Sequence, residues 1–250
     1  MDLGISGKTA AVAASSAGLG LGTAKALAED GVRVAISGRD PERLAAAEAE
    51  IAAVGEVVAI EADMATPEGG RRFVEAAAAA LGPLDIVVPN AGGPPPGTFA
   101  NTELDGYRAA IDMNLLSMVE MCRATIPGMQ ERGWGRVCAI TSIGVKQPVP
   151  FLMASSVARA GLTSFLKITA REVAADGVTV NSCQPGTHWT DRIRQLTADK
   201  EAAAAAVPAK TVGDAYHFGQ AVAFLCSEQA RFITGTGLLI DGGQSDGLLA

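Results

Sequence analysis

Residues 14–22 read ASSAGLGLG, directly after the apolar run KTAAVAA at 8–14 and at the head of an amphipathic stretch near 19–30. A short apolar run, a turn rich in glycine and a helical period together make a strand–turn–helix unit. Glycines at such a turn let the backbone come close to a pyrophosphate, whose charge then meets the amino end of the helix. The unit therefore predicts a dinucleotide-binding βαβ fold. A second pattern competes with it: GISGKT, residues 4–9, ends like a phosphate-binding P-loop. Its glycines stand too close together, and it precedes the first strand where a P-loop follows one. A nucleoside triphosphatase is excluded on that ground.

Working outward, short apolar runs recur at 8–14, 32–37, 56–61, 84–89, 136–141, 178–183 and 237–241. Helical stretches lie between them near 19–30, 41–53, 67–81, 102–132, 153–176 and 213–228. Continuous hydrophobicity suits strands buried on both faces, and the alternation suits right-handed crossovers. The fold expected is α/β: a doubly wound parallel sheet of about seven strands with helices on both faces. No linker divides the chain, so residues 1–250 read as one domain. Two irregular insertions, near 90–100 and 187–210, leave the carboxyl ends of strands. An open parallel sheet binds its ligands there, so both are expected to wall or cover a substrate pocket.

Composition narrows the function. The chain is 48% hydrophobic but only 4% aromatic, so its core is built from Ala, Val, Leu and Ile. A net charge of −7 without any basic run argues against nucleic acid or an anionic membrane surface as partner. No apolar run reaches the roughly 18 residues of a membrane span, and the amino terminus lacks a secretory pattern. Cys122, Cys138, Cys183 and Cys226 are widely spaced and form no C-x-x-C pair. These features predict a cytoplasmic protein with reduced thiols and no metal site.

The glycine turn also resembles the T-G-x-x-x-G-x-G turn of the short-chain dehydrogenase/reductase family, and the resemblance runs through nearly the whole chain. The last two glycines match Gly18 and Gly20, while the opening Thr-Gly pair is Ala13-Ala14. An alanine where an unusual backbone angle is needed costs about 1 kcal/mol. The resemblance implies that Ala14, Ser15, Ser16, Gly18, Leu19 and Gly20 border the cofactor. DMAT puts Asp63 and Met64 beside the adenine, and PNAG puts Asn90, Ala91 and Gly92 near a ribose. DMNLLS carries Asn114 at the position of the family's catalytic asparagine. CQPGTHWT resembles the P-G-x-x-x-T segment, with Pro185, Gly186 and the carboxamide-binding Thr190. ITGTGLLIDGG resembles the last strand and tail. The second strand ends in Ser37-Gly38-Arg39, without the acid that would hold a ribose diol and repel a 2′-phosphate. Arg39 suits a phosphate, so NADP(H) is expected in preference to NAD(H).

One segment departs from the family: ITSIGVKQPVPFLMASSVARAGL, residues 140–162. The family's serine positions a carbonyl, its tyrosine exchanges the proton, and a lysine one turn later holds the nicotinamide ribose and lowers the tyrosine pKa. Ser142 matches the serine. Aligning MASS with the family's A-S-K would place Leu152 and Ser156 at the next two positions, at the cost of a deletion. Counting forward from Ser142 and backward from Asn181 both arrive, without a gap, at Ser155, with Arg159 following one turn later. Arg159 keeps a permanent cation that can hold ribose hydroxyls or polarise a carbonyl. Ser155 offers an aliphatic hydroxyl, a far weaker acid than a phenol. His188 and Lys146 are the remaining candidates for a proton donor, while Tyr107 and Tyr216 read as structural.

The expected function is an NADP(H)-dependent oxidoreductase acting on a carbonyl or alcohol, with Ser142, Asn114, Ser155, Arg159, His188 and Lys146 around the reacting carbon. A lyase or isomerase using the same pocket, and a non-catalytic NADP(H)-binding protein, stay open as alternatives. Phe151, Met153 and Trp189 suit a bulky apolar substrate. The resemblance further implies a homo-oligomer, tetramer or dimer, joined through the helices at 102–132 and 153–176.

Overall fold

The computed structural model describes residues 2–197 and 199–248. Seven strands form one parallel sheet: β1 Thr9–Val12, β2 Arg33–Gly38, β3 Val57–Glu61, β4 Ile86–Val88, β5 Gly135–Ile140, β6 Val178–Pro185 and β7 Gly237–Ile240. Their order across the sheet is β3-β2-β1-β4-β5-β6-β7. The order reverses at β1, which pairs with β2 on one side and β4 on the other. Chains leaving β1 and β4 therefore turn to opposite faces and open a crevice between them, the place where such sheets bind ligands.

The helices among the described residues are α1 Gly18–Glu29, α2 Pro41–Ala52, α3 Pro67–Leu81, α4 Leu104–Ile111, α5 Ser117–Glu131, α6 Met153–Val173, α7 Asp191–Leu196, α8 Lys200–Ala205 and α9 Ala215–Leu225. Several begin where a side chain satisfies free backbone N–H groups: Asp40 for α2, Thr66 for α3, Asp199 for α8 and Asp214 for α9. No helix is long and apolar enough to cross a membrane among the described residues.

Each face of the sheet carries its own core. Leu27, Ile36, Ile51, Phe218 and Val222 pack α1, α2 and α9 against one face. Phe73, Met118, Met121, Met129, Leu162 and Leu166 pack α3, α5 and α6 against the other. Small residues let the first layer close tightly. A Cβ on Gly22 would stand 2.1 Å from the Ala215 carbonyl oxygen, and one on Gly219 would stand 2.2 Å from that of Gly22. The α1 and α9 backbones thus touch, which anchors the glycine turn at the head of α1.

Two expectations need correction. The helix read across 102–132 is three pieces: α4 ends at Ile111, residues Asp112–Leu116 form a π turn, and α5 follows. The extra backbone residue of a π turn rotates Asn114 inward, and such turns gather at functional sites. The insertion at 187–210 is not irregular throughout, since it contains α7 and α8. The Ala-rich run 202–206 lies in and just beyond α8.

Candidate functional site

At the turn between β1 and α1, Ala14 holds a positive φ of 46°. It has to, because the chain reverses there to pass under Gly20, where a Cβ would meet the Ala14 carbonyl oxygen at 2.4 Å. Asn90, at the end of β4, donates to the carbonyl oxygens of Ala13 and Ala14 at 3.2 Å each and fixes the turn. Ser15 points the other way. Its buried hydroxyl donates to Val12 O at 2.6 Å and accepts from Ser37 N at 3.0 Å, which ties β1 to β2. The Ser15 side chain therefore braces the turn and lines neither of the two cavities flanking it. The N-cap residue of α1 is Ala17, and no side chain caps it. Its free N–H groups, beside Gly18 at φ 58°, lie where Ala17, Gly18, Leu19 and Gly20 border a cavity, a place suited to an anion.

A cavity of about 510 Å³ extends from this turn across the carboxyl ends of β4, β5 and β6. Its lining includes Ala14, Gly18, Leu19, Gly20, Asn90, Ala91, Gly92, Ser142, Ser155, Arg159, Pro185, Gly186, His188 and Thr190. Most positions expected around the nicotinamide thus converge on one space. A second cavity, on the β2 side of the turn, is lined by Ser16, Gly38, Arg39, Asp63, Met64 and neighbouring residues, as expected for the adenosine end. There Arg39 Nε lies 3.7 Å from Asp63 Oδ1, both side chains being more than half exposed.

Around the expected reaction centre, Ser142 accepts from Gly144 N at 3.0 Å and caps a short turn, Ile143–Val145. One helical turn separates Ser155 from Arg159 on the buried side of α6, and Arg159 Nε donates to Ser155 Oγ at 3.3 Å. Arg159 Nη1 donates to the carbonyl oxygens of Ile140 at 3.0 Å and Thr141 at 3.1 Å. Burial, and then the neighbouring Arg192 charge, lower the Arg159 pKa to about 10, so the guanidinium stays protonated at neutral pH. Asn114, expected beside the reacting carbon, lines neither cavity: it is fully buried behind Gly92, to whose carbonyl oxygen it donates at 2.9 Å, and its Oδ1 has no protein partner.

The other candidates fall out differently. His188 is buried on the cavity wall, its Nδ1 3.2 Å from Gly186 O and its ring edge-on to Phe218 at 5.2 Å. Burial lowers its pKa below the usual 6.5 and keeps the imidazole neutral. Lys146 is exposed beyond the 143–145 turn and does not line the cavity. Neither tyrosine lines it: Tyr216 reaches Glu29, and Tyr107 packs on the cluster of Ala110, Ala154 and Ala158. Phe151 lines the cavity; Met153 and Trp189 do not.

Sequence reasoning missed Arg192. It reaches from α7 across the cavity, donates to Pro94 O at 2.7 Å and so ties the 187–210 insertion to the loop after β4. The signal was present: a cation two residues beyond Thr190, in a segment already expected to wall the pocket.

A family model described as enoyl-(acyl carrier protein) reductase matches residues 13–245. Dehydrogenase/reductase SDR family member 4 of Oryctolagus cuniculus is 32% identical over 244 residues, 96% of this chain and 94% of the relative. The chain belongs to the short-chain dehydrogenase/reductase family. Nodulation protein G of Azospirillum brasilense is 35% identical, over 96% of this chain and 98% of that one. L-sorbose reductase from Gluconobacter frateurii, solved with NADPH and L-sorbose, superposes with a TM-score of 0.93 at 30% identity, covering 99% of this chain and 100% of that one. Oxidoreductases thus recur among the relatives of this family member.

Proposed function

We propose that this family member is an NADP(H)-dependent oxidoreductase interconverting a carbonyl and an alcohol, with Ser155 and Arg159 in place of the family's tyrosine and lysine. The observation that carries this reading is that Ser142, Ser155 and Arg159 share one cavity with the uncapped amino end of α1. The cradle fits a dinucleotide: a close backbone approach at Gly20 and free helix N–H groups beside Gly18, both on the cavity lining.

When bound, the nicotinamide supplies or accepts the hydride. The chain's own groups deal with the charge that develops on the substrate oxygen. Ser142 Oγ and Ser155 Oγ each already accept a hydrogen bond, from Gly144 N and Arg159 Nε respectively. Each hydroxyl proton is therefore free to point at that oxygen. Arg159, 6% exposed, adds a fixed positive charge, and a buried charge acts more strongly than one in water. Electrostatic stabilisation does most of the work here, because a serine hydroxyl is a poor acid. A neutral, buried His188 supports the wall and Lys146 stays outside.

Arg39 and Ser16 support the preference for NADP(H). A 2′-phosphate competes with Asp63 for Arg39, but an exposed ion pair contributes only about 0.2–1 kcal/mol. A bidentate arginine–phosphate contact is stronger. Calorimetry should show NADPH binding at least tenfold more tightly than NADH, and Arg39→Asp should reverse that order. In a carbonyl panel, Ser142→Ala should lower kcat at least tenfold with little change in NADPH affinity. Absence of any nicotinamide association by the folded chain sinks the reading. Tight NADPH binding without turnover on any carbonyl favours the second reading, a non-catalytic binding protein, which the weak acidity of Ser155 makes reasonable. By family we also infer a homo-oligomer built on α4, α5 and α6.

A further inference from the structure

The charges of the large cavity do not balance. Its charged lining residues are Arg159, Arg192 and Asp191. Asp191 is committed elsewhere, to Arg43 of α2 and, at 2.7 Å, to Arg194. Arg159 is 6% exposed and bonds only neutral acceptors: two carbonyl oxygens and the Ser155 hydroxyl. Arg192 bonds the Pro94 carbonyl. Neither arginine has a carboxylate within 4 Å among the described residues, although the chain carries 27 acidic side chains against 20 basic ones. A buried guanidinium without a counterion is costly, and a second cation facing the same space adds to that cost. Their repulsion is felt at Arg159, whose pKa it helps to lower.

We infer that the missing counterion comes with the substrate: the cavity takes a molecule whose carbonyl is accompanied by a carboxylate, held by Arg192 at the mouth and favoured by the buried charge of Arg159. This deepens the oxidoreductase reading and rests on it for where the nicotinamide lies. The rest of the wall describes the rest of the molecule. Val149, Phe151, Leu152, Ile193 and Leu196 line the same space, so the carboxylate belongs to a substrate with an apolar body. A dinucleotide's own phosphates are a rival source of negative charge. They have the uncapped amino end of α1 beside Gly18, close to Thr190; Arg192, two residues on, turns instead to Gly93 and donates to Pro94 O, and its effect on NADPH affinity separates the two sources. A planar guanidinium also discriminates, since its paired N–H groups match a carboxylate and not an amide.

Two probes of the same size isolate the charge. With NADPH-loaded protein, hexanoate and hexanamide are titrated by calorimetry, against wild type, Arg192→Gln and Arg192→Lys. Wild type should bind hexanoate at least tenfold more tightly than hexanamide. Arg192→Gln should remove most of the preference, leaving only what the buried charge of Arg159 contributes, and Arg192→Lys should keep a larger part of it. Equal affinities in wild type, a preference undiminished in Arg192→Gln, or no hexanoate binding at all overturns the inference. So does an Arg192→Gln variant that loses NADPH affinity tenfold while the probe ratio stays fixed, because the arginine then serves the cofactor phosphates. If NADPH itself fails to bind wild type, the oxidoreductase reading falls, and the same probe ratio on the cofactor-free chain decides the anion site separately.

Discussion

Ala14 shows how far a single residue can be read in advance. The family pattern marks its position as one for glycine, and the backbone does adopt φ 46° there. A left-handed angle costs a residue with a Cβ about 1–2 kcal/mol. Glycine returns about 0.4–1 kcal/mol of that through the greater freedom of the unfolded chain. Ala14→Gly should therefore stabilise the protein by about 0.5–1 kcal/mol, seen as a higher urea midpoint at unchanged slope. His188 makes the opposite lesson. Sequence offers a titratable ring near the cofactor, but not the burial that changes its proton affinity. Its folded pKa lies below 6.5, so between those values the unfolded chain binds a proton that the folded chain refuses. Stability from this group is complete above pH 6.5 and is lost as pH falls, by at most about 1.4 kcal/mol per pH unit. Urea midpoints measured from pH 7 down to 5.5 should fall in wild type and fall less in His188→Gln. Equal slopes would show that His188 is not the group responsible. Arg192 was overlooked for a related reason: which way an arginine on a short helix inside an insertion points is set by the fold of the two insertions together.

At the scale of elements, the seven apolar runs all became strands: the five inner ones are buried on both faces, which writes itself into composition, and the edge strands β3 and β7 are apolar though only half-buried. Strand ends were less legible: 8–14 shrinks to Thr9–Val12, because the apolar residues Ala13 and Ala14 belong to the glycine turn, while 178–183 lengthens to Val178–Pro185. The π turn at Asp112–Leu116 leaves no mark in a helical period, as one added residue shifts the phase only locally. The tight contact of α1 with α9 was equally hidden. It joins Gly22 to a segment almost two hundred residues later, and a glycine inside a helix looks merely tolerated until its neighbour is known. That contact makes a sharp prediction. In isolation Gly219→Ala would strengthen α9 by roughly 1 kcal/mol. Here the new methyl meets Gly22 O at 2.2 Å and forces the helices apart. Overpacking of this kind costs about 1–3 kcal/mol, sometimes more. The net loss of stability should be accompanied by weaker NADPH binding, because α1 carries the glycine turn. A variant as stable as wild type with unchanged NADPH affinity would show that α9 can retreat without moving α1.

At the scale of the molecule, α6 has two working flanks. One is buried and brings Ser155 and Arg159 to the cavity. The other presents Val157, Gly161, Ser164 and Ile168 to solvent at helical spacing, with Val157 47% and Ile168 56% exposed. Leu104, at the start of α4, is 63% exposed beside it. Apolar residues with small ones between them suit a second copy of the same helix, packed about a twofold axis so that each stripe meets itself. The expected dimer or tetramer would then do more than cover apolar surface. It would hold the helix that sets the Ser155–Arg159 pair, whose own restraints within the chain are the carbonyls of Ile140 and Thr141. Sedimentation should therefore give a mass above that of the single chain. The double variant Val157→Glu with Ile168→Glu should sediment as a monomer. Its far-ultraviolet circular dichroism should match wild type, because both positions are exposed in the single chain. Turnover should fall several-fold while NADPH affinity changes little, since β1, α1 and β2 lie on the other side of the sheet order. A wild-type monomer, or a monomeric variant with full activity, would remove assembly from the account of how this site is held.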